Sequence, residues 1–259
     1  GGVIHRNSEV KKIVVEDGKV TSVLLADGRN VYGKHFISNM HPVTTLEMTE
    51  TSLIKSAYRS RVKNLENSIG GFVINIVFKK DSFKKKKNNY YCNKEEHIWS
   101  LTEYTEENWP LAYAVFFSAS SKSEEFAESM TILAYMKYDE VKEWAGTFNT
   151  VSAEAGRGEG YEAFKKRKAE KLLNLAEEKF PGLKESIKTY YTATPLSYRD
   201  YIGNHDGSMY GIVKDYRNPL KTFISPRTKV PNLYLTGQNL NLHGILGATM
   251  SGLVTCVAF

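Results

Sequence analysis

Alternation of apolar and polar positions dominates the first forty residues of the chain. Two Asp-Gly pairs, Asp17-Gly18 and Asp27-Gly28, separate runs that are rich in valine, isoleucine and leucine. An Asp-Gly pair between such runs is a strong signal for a tight β-hairpin turn. The pattern therefore predicts a three-stranded meander with strands at 10–16, 20–25 and 30–36, followed by an extended piece at 36–38.

The middle of the chain changes from a helical pattern to one typical of strands. Residues 45–67 have polar, helical spacing, which "NSIGG" interrupts. Apolar segments separated by turns then predict one antiparallel sheet. The predicted strands are 72–80, 96–105, 111–120 and 131–138, and "SIKTYYTATPLSYRDYIG" predicts a later strand that runs into a turn.

Two helices are predicted beside this sheet. "DEVKEWAGTF" begins with acidic residues, which suits the start of a helix. The segment 160–180 repeats its apolar residues at helical spacing and is stopped by Pro181-Gly182. The segment "SKSEEFAESM" is predicted as a loop or short helix, and "NHDGSMYGIVKDYRNPL" as a loop.

The chain ends with "PNLYLTGQNLNLHGILGATMSG", which predicts a short buried strand, a glycine turn, a polar loop and a small-residue helix. Glycines inside a helix cost about 1 kcal/mol each relative to alanine. A helix accepts that cost where another backbone or a flat ligand lies against it, and its free N-terminal amides favour negative charge. The alternative is a tightly packed helix whose small residues face a sheet.

Composition is that of a soluble globular protein without a disulfide framework. The chain has 259 residues, of which 41% are hydrophobic and 25% charged. Two distant cysteines, Cys92 and Cys256, do not make a disulfide framework or a zinc site. The sequence shows no apolar run that could cross a bilayer and no signal peptide. We therefore expect a cytoplasmic protein and, because the sequence lacks an initiator methionine, a fragment or processed product.

Much of the net charge of +6 comes from one lysine run, "KKDSFKKKKNN" at 79–89. One interpretation is a solvated hairpin loop. The other is peripheral contact of Lys84–Lys87 with anionic lipid headgroups. Nucleic-acid binding is not expected, because no further basic stripe with interleaved aromatic residues accompanies the run.

The terminal stretch resembles the flavin-contacting motif of the phytoene desaturase, carotenoid isomerase and retinol saturase family of FAD-dependent oxidoreductases. "DGKVTSVLLADGRNVYGKHFISNMHP", "FPGLKESI" and "TPLSYRDYIGNHDGSMYGI" resemble other segments of that family. The resemblance implies an α+β fold with an antiparallel substrate domain at 45–229. Residues 1–44 and 230–259 would then be pieces of a truncated FAD domain. Because no GxGxxG fingerprint occurs, we expect the fragment alone to lack FAD and to be inactive.

The same resemblance implies a set of site residues. The cofactor-binding candidates are Gly237, Gln238, Asn239, Gly244, Ile245, Leu246 and Gly247. Asn239 stands where many related flavoproteins carry an acidic residue. Tyr210 and His243 are the substrate candidates, with core packing and a backbone-bonded turn as their alternatives. No metal site is predicted and no catalytic residue is assigned, because the histidines, among them His41, His97 and His205, look scattered.

The resemblance implies a parent enzyme that acts on, or isomerises, double bonds of a long apolar polyene such as a carotenoid or retinoid. Flavin would carry the redox chemistry, and aromatic and aliphatic strands would form a wall for the substrate. One alternative is another flavoprotein of amine-oxidase-like architecture. The other is a non-catalytic module that binds an apolar ligand without flavin.

Overall fold

The computed structural model describes residues 1–94, 98–118, 123–151 and 155–259. Its strands are β1 (Val10–Glu16), β2 (Lys19–Leu25), β3 (Asn30–Tyr32), β4 (Phe36–Ser38), β5 (Gly70–Phe78), β6 (Tyr90–Asn93), β7 (Ala112–Phe117), β8 (Ser129–Met136), β9 (Ile187–Ala193) and β10 (Leu233–Leu235). Its α-helices are α1 (Pro42–Met48), α2 (Ser56–Lys63), α3 (Glu159–Lys179), α4 (Leu183–Ser186), α5 (Pro195–Ile202), α6 (Pro219–Thr222) and α7 (Gly244–Ala258). This is the α+β composition, with an antiparallel sheet and helices, that the sequence predicts.

Contacts divide the chain into two compact units. The terminal unit comprises Gly1–Ser68, Gly203–His205 and Tyr210–Phe259. The central unit comprises Ile69–Ile202 and Asp206–Met209. The terminal unit thus includes residues that the sequence analysis grouped with the substrate domain. The assignment of segments to a cofactor domain and a substrate domain stays a prediction.

The predicted meander opens the terminal unit. β1 and β2 pair antiparallel around Asp17-Gly18, where both residues have positive φ (48° and 77°), as in a type I′ hairpin turn. β3 pairs antiparallel with β2 beyond the second Asp-Gly turn. This third strand ends at Tyr32 and not at Phe36, so that part of the prediction is wrong.

The next strand, β4, does not join the sheet of the meander. It pairs in parallel with β10, near the other end of the chain. The buried side chain of Asn232, directly before β10, secures this arrangement. Its amide nitrogen donates to the carbonyls of Val20 and Lys34 (2.8 and 3.0 Å), and its oxygen accepts from Val20 N–H (2.8 Å). Phe36 N–H adds a bond to the Asn232 carbonyl (2.9 Å). The start of β4 is therefore held beside the start of β10.

The helical pattern at 45–67 corresponds to two short helices, α1 and α2. Arg59 of α2 joins them. Its guanidinium group donates to the carbonyls of Leu46 and Thr49 at the end of α1, the second over 2.6 Å. Carbonyls at a helix end lack partners within the helix, so the arginine stabilises the end of α1.

The central unit is built on one antiparallel sheet with the strand order β6-β7-β8-β5-β9. Alternate residues of β5, among them Phe72 and Ile74, are fully buried. They pack in the same core as Leu172 and Ala176 of α3. The helix predicted at 160–180 agrees with α3 within one residue at each end, because its apolar repeat covers this core.

The prediction for one edge of the sheet is wrong. Of the predicted strand 96–105, residues 96–97 lie outside the described residues, and the rest forms a 3-10 turn at Ile98–Ser100 followed by a loop. The edge strand is β6, directly after the lysine run. Its four residues are too few to show an alternating pattern.

Other elements differ from their predictions in smaller ways. The strands at 72–80, 111–120 and 131–138 correspond to β5, β7 and β8 with shifted ends, and residues 119–120 lie outside the described residues. The segment after β9 forms α5 and not a turn; its first residue is Pro195, whose missing N–H suits a helix start. The helix in "DEVKEWAGTF" is a 3-10 helix at Tyr138–Trp144. Within "SKSEEFAESM", residues 121–122 lie outside the described residues, and 123–128 contain no helix.

A buried ion pair links α5 to the segment before α3 in the central unit. The side chains of Arg157 and Asp200 pair while only 4% and 0% exposed. Asp200 also accepts from Asn149 N–H (2.9 Å) and Arg199 Nε (2.7 Å). Burial by itself raises the pKa of the Asp200 carboxyl, but the hydrogen bonds from Arg199 and Arg157 outweigh burial and lower that pKa.

We predict that Asp200→Asn lowers the free energy of unfolding by about 3–5 kcal/mol at neutral pH, because it leaves buried arginine charge unpaired. The carboxylate stabilises the fold above its ordinary pKa of 3.8. That contribution is lost as pH falls through the lowered pKa, so the difference from wild type should shrink in acid. Urea unfolding at several pH values measures both effects.

The control for this experiment is Asp139→Asn, which removes an exposed ion pair with Lys142. Exposed pairs contribute little, so the change should stay below about 1 kcal/mol. An Asp200→Asn protein as stable as the control variant would contradict a stabilising role of the buried pair.

Candidate functional site

Two loops emerge at the same edge because β4 and β10 run in parallel. Thr236 N–H donates to the Ser38 carbonyl (2.9 Å), and the side-chain amide of Asn39 lies against the backbone of Gly237. Gly237 has a φ of 96°, and a Cβ there would overlap the Asn39 amide oxygen. Parallel strands characteristically place ligand sites beyond their carboxyl ends. This edge is therefore the candidate site, and Asn39 is a member that sequence reasoning missed.

The side chain of Asn239 is engaged by the protein's own backbone. It is 4% exposed, and its amide oxygen accepts from Ile212 N–H (3.0 Å). The same amide lies where a Cβ of Gly211 (φ 71°) would be. The asparagine thus ties the glycine turn to residues 211–212. Gln238, next to it, is half-buried.

A lysine that the sequence analysis did not single out supports the same turn. Lys214 Nζ lies 2.6 Å from the carbonyl oxygen of Asn239 and 3.1 Å from that of Leu240. Burial lowers the pKa of this ammonium group to about 8. The sequence signal was faint: a lysine that directly follows two apolar residues in a segment predicted as a loop.

The final helix, α7, has one buried face of small residues. The buried residues are Gly247, Ser251, Thr255 and Ala258. The Thr255 hydroxyl donates to the Leu235 carbonyl in β10 (3.0 Å), so this face packs on a strand. Packing of small residues on a sheet, the alternative given for this helix, is therefore present. Ile245 and Leu246 lie elsewhere on the helix and are 90% and 71% exposed.

Two glycines of α7 have different surroundings. Gly244 has a φ of 77°, and no atom lies within 4 Å of the position of a Cβ. At Gly247 a Cβ would overlap the backbone carbonyl of Leu242, in the loop before the helix. The close approach that the sequence suggested at Gly247 is thus made by the chain itself, whereas the space beside Gly244 is open.

The structure brings the two substrate candidates into contact. The rings of Tyr210 and His243 stack, with centroids 4.7 Å apart and planes at 26°. Tyr210 is 39% exposed, which does not fit the alternative of core packing. His243 is the residue before α7 and makes no side-chain bond that caps the helix.

Two histidines that look scattered in the sequence are neighbours. The rings of His41 and His205 lie 4.6 Å apart. His41 is buried; its Nδ1 accepts from Val43 N–H (3.4 Å), and its Nε2 lies 3.0 Å from Asn67 Oδ1. Since Nδ1 accepts, Nε2 carries the proton and donates to Asn67. The His41 side chain therefore caps the start of α1. His97 lies outside the described residues.

Within the ranges that the structure describes, no three histidine, cysteine, aspartate or glutamate residues could together hold a metal ion. Cys92 and Cys256 are free thiols. Among the described helices, none has the length and apolar character needed to span a membrane.

Known proteins align with almost the whole chain. It is 24% identical to the all-trans-retinol 13,14-reductase of Rattus norvegicus, over 98% of this chain and 45% of that protein. It is 23% identical to a chloroplastic prolycopene isomerase of Daucus carota, over 98% of this chain and 40% of that protein. The chain is a homologue of these proteins. It spans less than half the length of each.

The fold has a counterpart among solved structures. A crystal structure of an oxidoreductase from Methanosarcina mazei matches with a TM-score of 0.55 and 14% identity, over 96% of this chain and 48% of that chain. No protein-family model matches the chain. The homology confirms the resemblance to the carotenoid isomerase and retinol saturase proteins that the terminal motif indicated.

We predict opposite effects for two glycine substitutions in α7. Gly252→Ala should raise the free energy of unfolding by up to about 1 kcal/mol, because a Cβ there meets nothing within 4 Å and alanine favours helix. Gly247→Ala should lower it, because the Leu242 carbonyl must move. Urea unfolding of both variants measures the difference. Equal stabilisation by the two alanines would show that the contact with Leu242 is not tight.

Proposed function

We propose that the chain is part of an FAD-dependent oxidoreductase or isomerase that acts on double bonds of a long apolar polyene, a retinoid or a carotenoid. One observation carries this proposal. Nearly the whole chain aligns with a retinol reductase and a prolycopene isomerase, two proteins named for different reactions on the same class of conjugated molecule. The shared feature of their substrates is the polyene, so we assign the polyene to this chain.

The start of α7 has features that fit a flavin. The space beside Gly244 is open, no side-chain bond caps the helix, and Ile245 and Leu246 present exposed apolar surface. Such a surface suits a flat ring, and free amides at a helix start suit the ring's polar edge. The proposed cofactor-binding residues are Gly237, Gln238, Asn239, Gly244, Ile245, Leu246 and Gly247. Within this set, Gly247 is proposed to act indirectly: it packs on the backbone of Leu242 and so positions the loop before α7.

When bound, flavin supplies the hydride or electron transfer. The chain's own part is to orient the partners. The Tyr210–His243 ring pair stands directly before the open start of α7, and we propose that it lines the approach of the substrate. Stacked rings offer a flat, partly polar surface beside which a polyene can lie. We assign no acid–base residue.

One face of the central sheet is the proposed wall for such a substrate. On the face opposite α3, Tyr191, Asn75, Thr131 and Phe116 stand side by side on four neighbouring strands. Tyr91 meets Phe116 edge to face (6.0 Å), and Thr131 donates to Asn75 (2.9 Å). This face thus presents three aromatic rings together with two polar side chains that bond to each other, and sites for apolar ligands are typically apolar with a few polar groups. We propose this face as the substrate wall of a domain at 45–229.

The remaining part of the cofactor site is proposed to lie elsewhere in the full-length protein. The GxGxxG fingerprint that cradles a pyrophosphate does not occur in the 259 residues. Residues 1–44 and 230–259 would complete the flavin end of that FAD domain. The two alternatives differ from this proposal in one respect each. An amine-oxidase-like flavoprotein would bind flavin but use a different substrate, and a non-catalytic module would bind an apolar ligand without flavin.

We predict that the full-length protein is yellow, with about one flavin per chain, and changes the double bonds of retinol or prolycopene, as chromatography of the products would show. The 259-residue chain by itself should be colourless and should gain little thermal stability from FAD, because it lacks the pyrophosphate fingerprint.

The same measurements separate the alternatives. A flavin that is reduced by amines and not by polyenes would favour the amine-oxidase architecture. Polyene binding by a full-length protein that takes up no flavin would favour the non-catalytic module and would contradict the proposal.

Peripheral membrane contact through the lysine run stays a proposal. Lys84, Lys86 and Lys87 are exposed between β5 and β6, and Lys85 N–H donates to the Glu125 carbonyl (2.8 Å). The backbone of the run is therefore anchored while three of its four side chains face solvent, an arrangement that suits a charged surface patch and also a plain solvated loop.

We predict that replacing Lys84–Lys87 with serine abolishes sedimentation with acidic liposomes. Wild-type binding should fall steeply with salt, because exposed charges are screened within about 10 Å at 0.1 M. A charge-matched control carries serine at four exposed lysines elsewhere: Lys34, Lys55, Lys188 and Lys229. Equal loss in both variants would mean that net charge, and not this run, determines the contact.

A further inference from the structure

Lys214 is a partly buried cation that bonds to backbone carbonyls. Its Nζ donates to the carbonyl oxygens of Asn239 (2.6 Å), Leu240 (3.1 Å) and Thr222 (3.4 Å). An ammonium group has three N–H donors, so these carbonyls use all of them. Within the described residues, no carboxylate forms an ion pair with it. The charge of Lys214 is balanced by peptide dipoles alone.

Charged residues on the neighbouring segments do not compensate Lys214. They are Asp215, Arg217, Lys221, Arg61 and Glu66. The Asp215 carboxylate accepts from N–H groups of the turn that follows it (2.9 and 3.2 Å). Arg61 donates to the carbonyls on either side of Thr222, and Glu66 joins this segment through its backbone carbonyl. The turn 237–241 carries no titratable side chain, and burial is what lowers the pKa of Lys214 to about 8.

The ammonium group acts on one peptide unit in particular. The Leu240 carbonyl points to Lys214, and in a trans peptide the N–H of the next residue, Asn241, points the opposite way. In the described part of the chain that N–H has no hydrogen-bond partner. A positive charge at the carbonyl end of a peptide group polarises it and strengthens the N–H as a donor. Asn241 N–H is therefore a strengthened, available donor between Asn239 and His243.

We propose that Lys214 is the positioning residue of the cofactor turn, and that its charge, relayed through the Leu240–Asn241 peptide, favours a negatively charged acceptor of the bound flavin cofactor at Asn241 N–H. This inference rests on the proposed function, because it takes FAD as the ligand of the turn. Burial disfavours the charged form of Lys214, and a bound anion nearby favours it again. Binding of the anion and protonation of Lys214 therefore support each other.

This coupling determines the sign of the pH dependence. Without ligand, Lys214 loses its proton near pH 8, below the ordinary lysine pKa of 10.5. A nearby anion raises the pKa back towards the ordinary value. Affinity for the anion should thus be constant below about pH 8 and fall above it, by no more than about tenfold per pH unit for one proton.

The first test follows the turn itself in the full-length protein, by NMR of the Leu240 carbonyl carbon. We expect a pH-dependent shift with a midpoint near pH 8 in wild type and none in Lys214→Arg, which stays charged, or in Lys214→Met. Lys229→Met, at an exposed lysine of the same unit, should keep the wild-type midpoint. A wild-type carbonyl signal that does not respond to pH would overturn the positioning role.

The second test measures FAD affinity of the full-length protein at about pH 7 and pH 9. Wild type should bind several-fold more weakly at the higher pH, Lys214→Arg equally well at both, and Lys214→Met weakly at both. FAD affinity that is the same in wild type and Lys214→Met at both pH values overturns this inference alone. Failure of the wild-type protein to bind any FAD overturns the proposed function and, with it, the cofactor part of the inference.

Discussion

The parallel pairing of β4 with β10 is the contact on which the terminal unit and the candidate site depend. It joins two three-residue strands that lie about 200 positions apart in the chain. The Asn232 side chain reinforces it at one end, and the Thr236–Ser38 bond continues it at the other. Because the strands are parallel, the Asn39 loop and the glycine turn leave at the same edge. Without this pairing, α7 would also lose the strand on which its small residues pack.

The glycines of the terminal motif serve the turn itself as well as any ligand. Gly237 leaves room for the Asn39 amide, Gly211 for the Asn239 amide, and Gly247 for the Leu242 carbonyl. Gly244 is different, because the space beside it is open. The glycines of this pattern therefore have two roles. Most of them allow the chain to pack tightly on itself, whereas Gly244 leaves the surface beside it open. The first holds the turn in a single conformation, which is what a ligand-binding surface requires.

Much of the local structure could be predicted from sequence because its causes are local. Both hairpins follow from their Asp-Gly turns, and α3 follows from an apolar repeat with a Pro-Gly stop. The edge strand β6 could not be found, because four residues carry too little periodicity. The elements of the terminal motif were predicted correctly in the same way: a strand, a glycine turn and a helix lie where the pattern placed them.

What the sequence could not show are contacts between distant segments. The histidine pair, the Asn39 amide against Gly237 and the Lys214 ammonium beneath the turn each join residues from separate parts of the chain. None of these residue types is unusual where it stands, so only three-dimensional proximity reveals it. The resemblance to flavoproteins indicated the terminal stretch as the cofactor site, but it did not indicate that Asn39 and Lys214 contact that stretch.

The long separation between β4 and β10 has a consequence for synthesis on the ribosome. The central unit consists mainly of one continuous stretch, so its sheet can close while the chain is still growing. Residues 36–38 leave the ribosome well before residues 233–235, so β4 can pair with β10 only after the central unit has been synthesised. Contacts so distant in sequence form slowly, and an unpaired strand edge is a site for association with other chains. The pairing of β4 with β10 is therefore among the last contacts of the terminal unit that can form during synthesis.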